Sequence, residues 1–154
     1  MASGSLLPPH TSHRVAGLGS VKFEEMLLAC DSEFLESRGL IHEVIVEGGT
    51  TCVLLPSWPL PTGCTLPRTA LLLRLSAGYP DVPPDMWWFD PPVVRKDGQP
   101  IRATESREQY LGRQWQRWSR HLSPGQWQSG IDGLESYLAL IRKELDQSCL
   151  ESAS

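Results

Sequence analysis

The sequence predicts an α+β domain: an N-terminal helix, a four-stranded antiparallel meander, a long irregular active segment and a C-terminal helix. Three observations carry this reading. Tyr79-Pro80-Asp81-Val82-Pro83-Pro84 is a proline-tied crossing that leads straight into the apolar run Met86-Trp87-Trp88-Phe89. Prolines lack an N–H and fix φ, so the hexapeptide belongs neither to a helix interior nor to a central strand. Consecutive β-rich runs are joined by short turns rather than by helical crossovers, which is the pattern of a meander. Stripes at helical spacing stand at both ends of these runs.

Order is expected to begin at Ser20, an N-cap, with Glu24 and Glu25 in the first helical turn. Phe23, Met26, Leu27, Cys30 and Phe34 then form one apolar face, and Gly39 ends the helix. The first strand is Ile41–Glu47, and Gly48-Gly49 supplies the positive φ angles of a tight hairpin. Thr50–Leu55 returns, the four prolines between Pro56 and Pro67 mark a loop, and Thr69–Leu75 is the third strand. The fourth, Met86–Phe89, should send Trp87 and Trp88 to opposite faces: one into the core, the other under a helix or towards a partner. From Asp90 to about Gly130 the pattern loosens; Asp90-Pro91-Pro92 is a rigid exit and Asp97-Gly98 a turn. Ile131, Leu134, Leu138, Ile141 and Leu145 make an apolar stripe for a helix over 131–145. The expected layout is a flexible N-terminal tail (1–19), one domain (20–146) and a flexible C-terminal tail (147–154).

At 154 residues and a formal net charge of −4, the chain can bury its own core and has no bulk charge for neutralising phosphates, so no nucleic-acid partner is expected. Arg95, Lys96, Arg102, Arg107, Arg113, Arg117 and Arg120 nevertheless crowd one segment, as a positive surface for an acidic partner or as solvated loop charges. Cys30, Cys52, Cys64 and Cys149 form no C-x-x-C pair and suggest neither a zinc site nor a disulfide framework. Cys30 and Cys52 read as small core residues. Without a signal-like or membrane-length apolar run, a reducing, cytoplasmic setting with no membrane partner is expected. His10, His13 and His42 receive no ligand role.

The helix, the meander, the Y-P-x-x-P-P crossing, a later Trp and a final helix resemble the ubiquitin-conjugating enzyme (UBC) superfamily over about residues 20–146. Tyr79, Pro80, Pro83, Pro84 and Trp127 carry the resemblance. The run Trp115-Gln116-Arg117-Trp118-Ser119-Arg120-His121, with Trp127 and Asp132, is similar to a prokaryotic branch, the UBC family protein E type. The resemblance implies a transferase that takes the C-terminus of a ubiquitin-like modifier as an ester and passes it to an acceptor. It also implies an adenylating activating enzyme and a UBC-like or peptidase partner. No cofactor is implied, since the ATP chemistry belongs to the activating enzyme. Two departures matter. The His-Pro-Asn tripeptide of the familiar enzymes is missing, and no cysteine lies between Phe89 and Trp127. The family's cysteine stands eight residues before a Trp, and eight residues before Trp127 stands Ser119.

A serine nucleophile needs a base and oxyanion donors more than a cysteine does. His121 would lie on the same side as Ser119 in extended backbone, and Arg117 or Arg120 could hold an acyl oxygen. The alternatives remain beside this: Ser119 a surface hydroxyl, His121 a structural histidine, Trp115, Trp118 and Trp127 packing residues, Asp90 a turn cap. Two functions follow, an acyl-carrying transferase or a catalytically inactive UBC-fold binding module.

Overall fold

The computed structural model describes residues 11–15, 27–123 and 125–149. Among the described residues seven strands form one sheet: β1 (Thr11–Val15), β2 (His42–Glu47), β3 (Thr50–Pro59), β4 (Arg68–Leu75), β5 (Met86–Asp90), β6 (Arg107–Tyr110) and β7 (Arg113–Ser119). Helices α1 (Ala29–Ser37) and α2 (Leu134–Ser148) complete it. The sheet order is β1-β2-β3-β4-β5-β7-β6, with β1 parallel to β2 and every other pair antiparallel. The meander of four is therefore the centre of a larger sheet. Thr11–Val15 adds a strand within the stretch expected to be a tail, and Arg107–Ser119 adds a hairpin within the stretch expected to be irregular. Ser20, Phe23, Glu24, Glu25 and Met26 lie outside the described residues.

The β2–β3 hairpin turns through Gly48 (φ 59°) and Gly49 (φ 81°), the left-handed pair that the twist of two strands favours. The same geometry joins β6 to β7 through Leu111 (φ 53°) and Gly112 (φ 75°). β3 runs on to Pro59, past the expected loop start at Pro56. Two local facts allow this. A register shift between Leu55 and Trp58 absorbs the chain around Pro56, and β2 pairs β3 no further than Leu54, so no ladder partner awaits the missing N–H.

Both helices lie on one face of the sheet. Leu35 of α1 and Leu134, Leu138, Ile141 and Leu145 of α2 meet Val44, Val53, Leu71, Leu73, Trp87, Phe89 and Trp118 there. The rings interlock edge-on: Phe89–Trp118 at 5.5 Å between centroids and Trp87–Tyr137 at 5.8 Å. Such pairs add to the stabilisation from area alone. The opposite face has its own cluster, in which Trp88 and Trp115 pack with Ile45, Leu54 and Leu72. Trp87 and Trp88 do part to opposite faces, but both are buried. Trp88 is covered by the β6–β7 hairpin: its Nε1 donates to Glu108 Oε1 (2.9 Å) and its ring meets Tyr110 edge-on.

Two expected core positions are corrected. Cys30 is exposed, because α1 turns Asp31 and Leu35 inward. Ile131 is 77 % exposed, because α2 begins only at Leu134. The two shifts share one cause. Asp31, 2 % exposed, accepts the Leu134 N–H at Oδ1 (2.9 Å) and the Tyr79 hydroxyl at Oδ2 (2.7 Å). The N-cap of α2 is Gly133, which has no side chain to satisfy the first N–H groups. A carboxylate from the other helix does that work, and the same group anchors the proline crossing. Burial, then the adjoining carboxylate, pushes the Tyr79 phenol well above its ordinary range, so it stays a donor. Trp127 finishes the knot: its Nε1 donates to Pro80 O (2.7 Å) and its ring packs between Tyr79 and Tyr137.

Replacing Asp31 with Ala orphans one donor on each of two elements and should cost about 2–4 kcal/mol, against about 1–2 for Tyr79→Phe. Urea denaturation of the two variants checks the ranking, and equal losses would refute the double role of Asp31. A Cβ on Gly133 would stand 2.8 Å from Asp31 Oδ1. Gly133→Ala should therefore lose about 1–3 kcal/mol although the backbone there is ordinary extended chain.

Candidate functional site

Ser119 is the last residue of β7 and pairs with Met86, the first of β5. Continuing that antiparallel register sets the residues after Ser119 beside those before Met86. His121 and Asp85 meet there. His121 Nε2 lies 3.4 Å from Ser119 Oγ, and His121 Nδ1 lies 3.3 Å from Asp85 Oδ2. Hydroxyl, imidazole and carboxylate thus stand in series, one ring nitrogen facing each neighbour. The Nδ1 contact to a carboxylate favours the tautomer that leaves Nε2 free to accept the serine proton. The Ser119–His121 spacing is at the long end for a hydrogen bond, and the His121–Asp85 contact is one of ion-pair distance.

The series is open to water. The side chains of His121 and Asp85 are 65 % and 55 % exposed. A cleft of about 310 Å³ borders Ser119 and His121, with Leu122, Gln126, Leu140 and Glu144 around it. Glu144 and Leu140 come from α2, so the cleft lies between the end of β7 and the second half of that helix.

The two arginines expected near the acyl oxygen have other partners. Arg120 is 7 % exposed; its Nε pairs with Glu144 Oε1 (2.9 Å) and its Nη1 donates to Arg102 O (2.8 Å). A charge buried to that degree needs such a partner, and the pair ties the end of β7 to α2. Arg117 donates to Glu108 Oε2 (2.7 Å) and Ser106 Oγ (3.2 Å). Burial pulls the Glu108 carboxyl upward, but hydrogen bonds from Trp88 and Tyr110 and the Arg117 charge outweigh it and hold it below the usual range. Neither guanidinium donates to Ser119 Oγ among the described residues.

The crowded basic segment is likewise mostly neutralised. Arg95 pairs with Asp97, Arg113 with Asp90, Arg117 with Glu108 and Arg120 with Glu144. Four of the seven are thus held in local ion pairs, while Lys96, Arg102 and Arg107 stay exposed. Asp90 serves Arg113 (2.8 Å). His42 is buried, its Nδ1 against Leu40 O (2.9 Å). Trp115 and Trp118 fill opposite faces of the sheet from within β7, and Gln116 between them fastens the Val93 segment through both its amide atoms. Among the described residues no cluster of three potential metal ligands occurs, and no helix is long and apolar enough to cross a membrane.

Asp85 is the residue that sequence reasoning passed over. Its signal was position: it follows Pro84 directly, and the rigid crossing delivers its carboxylate to the mouth of β5. Tyr79, Pro80, Pro83, Pro84 and Trp127 build that crossing, while Ser119 and His121 meet it from β7.

No curated protein and no solved structure matches the chain. The sequence profile of the prokaryotic E2 family E, however, matches residues 27–148. That span takes in both helices, the proline crossing and the Ser119–His121–Asp85 series, and on it the chain belongs to the prokaryotic E2 family E.

Proposed function

We propose that this chain is a UBC-fold acyl carrier of a prokaryotic ubiquitin-like modification system, with Ser119 as its nucleophile. The observation that carries the reading is the hydroxyl–imidazole–carboxylate series at 3.4 and 3.3 Å, at the spacing from Trp127 where the superfamily keeps a cysteine. The modifier arrives from its activating enzyme as a thioester. Ser119 Oγ attacks the acyl carbon, His121 Nε2 takes the hydroxyl proton, and Asp85 steadies the imidazolium that forms. The O–C bond forms, the C–S bond breaks, and the proton passes from His121 to the departing thiolate. In the second half an acceptor amine attacks the oxyester and Ser119 recovers its proton. An oxyester is a poorer acyl donor than a thioester, so this half demands more of the imidazole. A UBC-like or peptidase partner completes the system, which calls for no cofactor in this subunit.

A second reading has its own support. Neither Arg117 nor Arg120 offers a free fork to a developing oxyanion. Ester chemistry draws much of its acceleration from such donors. On that ground the chain is a binding module that docks the modifier without carrying it.

Incubation with the cognate activating enzyme, modifier and ATP distinguishes the two. The carrier reading expects an adduct that survives thiol, breaks in mild base and is absent from Ser119→Ala. An adduct that persists in Ser119→Ala would sink it, and no adduct with the wild-type chain would leave the binding module. His121→Ala should slow adduct formation by about 100-fold or more. Asp85→Asn should slow it only by about 10-fold, because water reaches both partners of this pair. Stopped-flow or quenched time courses read both values. A loss at Asp85 as deep as that at His121 would mean that the carboxylate does more than orient the ring.

A further inference from the structure

The cleft beside Ser119 also has Arg102 on its border. Arg102 belongs to a turn over 101–104 that is fastened along its length. Ile101 and Thr104 are buried at its two ends, and Thr104 Oγ1 donates to Ile101 O (2.9 Å). Between them, Arg102 O accepts Arg120 Nη1 (2.8 Å) and Ala103 O accepts the Ser119 N–H (3.1 Å). Ala103 stands at φ 58°, a left-handed conformation that a residue with a Cβ seldom adopts. Such strain persists where the surroundings over-determine the backbone, and it gathers at functional sites. Of the four residues in the turn, Arg102 alone is exposed.

The charges around the cleft single out the same residue. Arg120 and Glu144 neutralise each other, and His121 faces Asp85. Arg102 has no ion pair or side-chain hydrogen bond among the described residues. Its neighbour Ala103 is the residue whose carbonyl binds the Ser119 N–H, so one Cα step of about 3.8 Å separates Arg102 from the partner of Ser119. That bond also engages the Ser119 N–H, which is therefore not available to an oxyanion. Gln126, another donor-bearing residue on the cleft, carries no charge and gives its Oε1 to the Ser123 N–H.

We propose that Arg102 is a catalytic residue of acyl transfer at Ser119, donating from its guanidinium to the acyl oxygen as negative charge develops there. The inference rests on Ser119 as the nucleophile. When Ser119 Oγ bonds to the acyl carbon, the carbonyl π pair moves onto the oxygen and the hydroxyl proton goes to His121. Arg102 donates to that oxygen until the carbonyl re-forms and the bond to the leaving group breaks, the leaving group keeping the electron pair. A guanidinium suits the task because it is always charged and presents several N–H donors in one plane. Arg120 then has a second purpose: from its ion pair with Glu144 it holds the Arg102 carbonyl, and with it the turn, at the cleft.

The test uses the full chain with p-nitrophenyl acetate as the acyl donor, so no cognate modifier is required. Acetylation of Ser119 releases p-nitrophenolate in a stopped-flow burst, and Ser119→Ala supplies the background to subtract. Arg102→Ala should slow the burst by about 10- to 100-fold, less than the loss of a fully enclosed donor because water takes its place. Its thermal midpoint should stay at the wild-type value, since an exposed side chain without partners contributes little to stability. Millimolar guanidinium chloride should restore the rate of Arg102→Ala but not that of Ser119→Ala. Arg102→Lys should recover part of the loss, the ammonium supplying charge without the planar fork. Lys96→Ala, which removes an exposed cation from the same segment, should keep the wild-type burst. An Arg102→Ala burst at the wild-type rate would overturn the proposal and leave the Ser119 reading standing. A loss that guanidinium does not restore, an equal loss in Lys96→Ala, or a deeper one in Gln126→Ala would also overturn it. A wild-type chain no faster than Ser119→Ala would remove the nucleophile, and the role of Arg102 with it.

Discussion

One buried carboxylate holds three parts of this protein in register. Asp31 reaches from α1 to the first N–H of α2 and to the hydroxyl of Tyr79. Helix ends carry unsatisfied donors, and a glycine N-cap leaves them more exposed than usual. Supplying the acceptor from another helix turns a local need into a tertiary link. It also explains why α1 turns an acid inward where an apolar residue would ordinarily stand. With that link made, the proline crossing is pinned at Tyr79 and its far end falls at a defined height above β5.

That height is what matters for the candidate site. Pro84 hands the chain to Asp85, and the β5–β7 register sets Asp85 opposite the residues that follow Ser119. The imidazole of His121 then has a carboxylate on one nitrogen and a hydroxyl on the other. The ladder between β5 and β7 does the positioning, because it brings together the two short segments that leave it at Asp85 and at His121. Arg120 contributes by anchoring: its ion pair with Glu144 keeps the end of β7 against α2. The geometry suits proton movement better than oxyanion binding, which is the tension between the two functional readings.

Much of the frame was legible in the residues. Gly48-Gly49 announced a hairpin because only residues tolerant of positive φ turn a strand back so tightly. The stripe Leu134–Leu145 announced a helix lying on a sheet. The β6–β7 hairpin was not legible, for a physical reason. Trp115 and Trp118 fall three apart and are both buried, on opposite faces, so β7 shows no alternation between apolar and polar. Strands covered on both sides lose that signature. Leu111 at positive φ hid the turn as well, since leucine there gives no turn signal. The start of α2 at Leu134 is not legible locally, because the Asp31 acceptor lies 103 residues away from the helix it caps. Ser119 and His121 stand out by their spacing from Trp127 and from each other, whereas the nearness of Asp85 to His121 depends on the β5–β7 ladder.

The sheet's border beyond β7 has a consequence for behaviour in a crowded solution. β6 is the terminal strand on that side and is only four residues long, Arg107-Glu108-Gln109-Tyr110. Its residues alternate between exposed and half-buried, and three of the four are polar. A rim so short and hydrophilic is a poor template for strand recruitment by a neighbouring chain. The same hairpin that seals Trp88 and Trp115 from water thus also guards the sheet against runaway self-association.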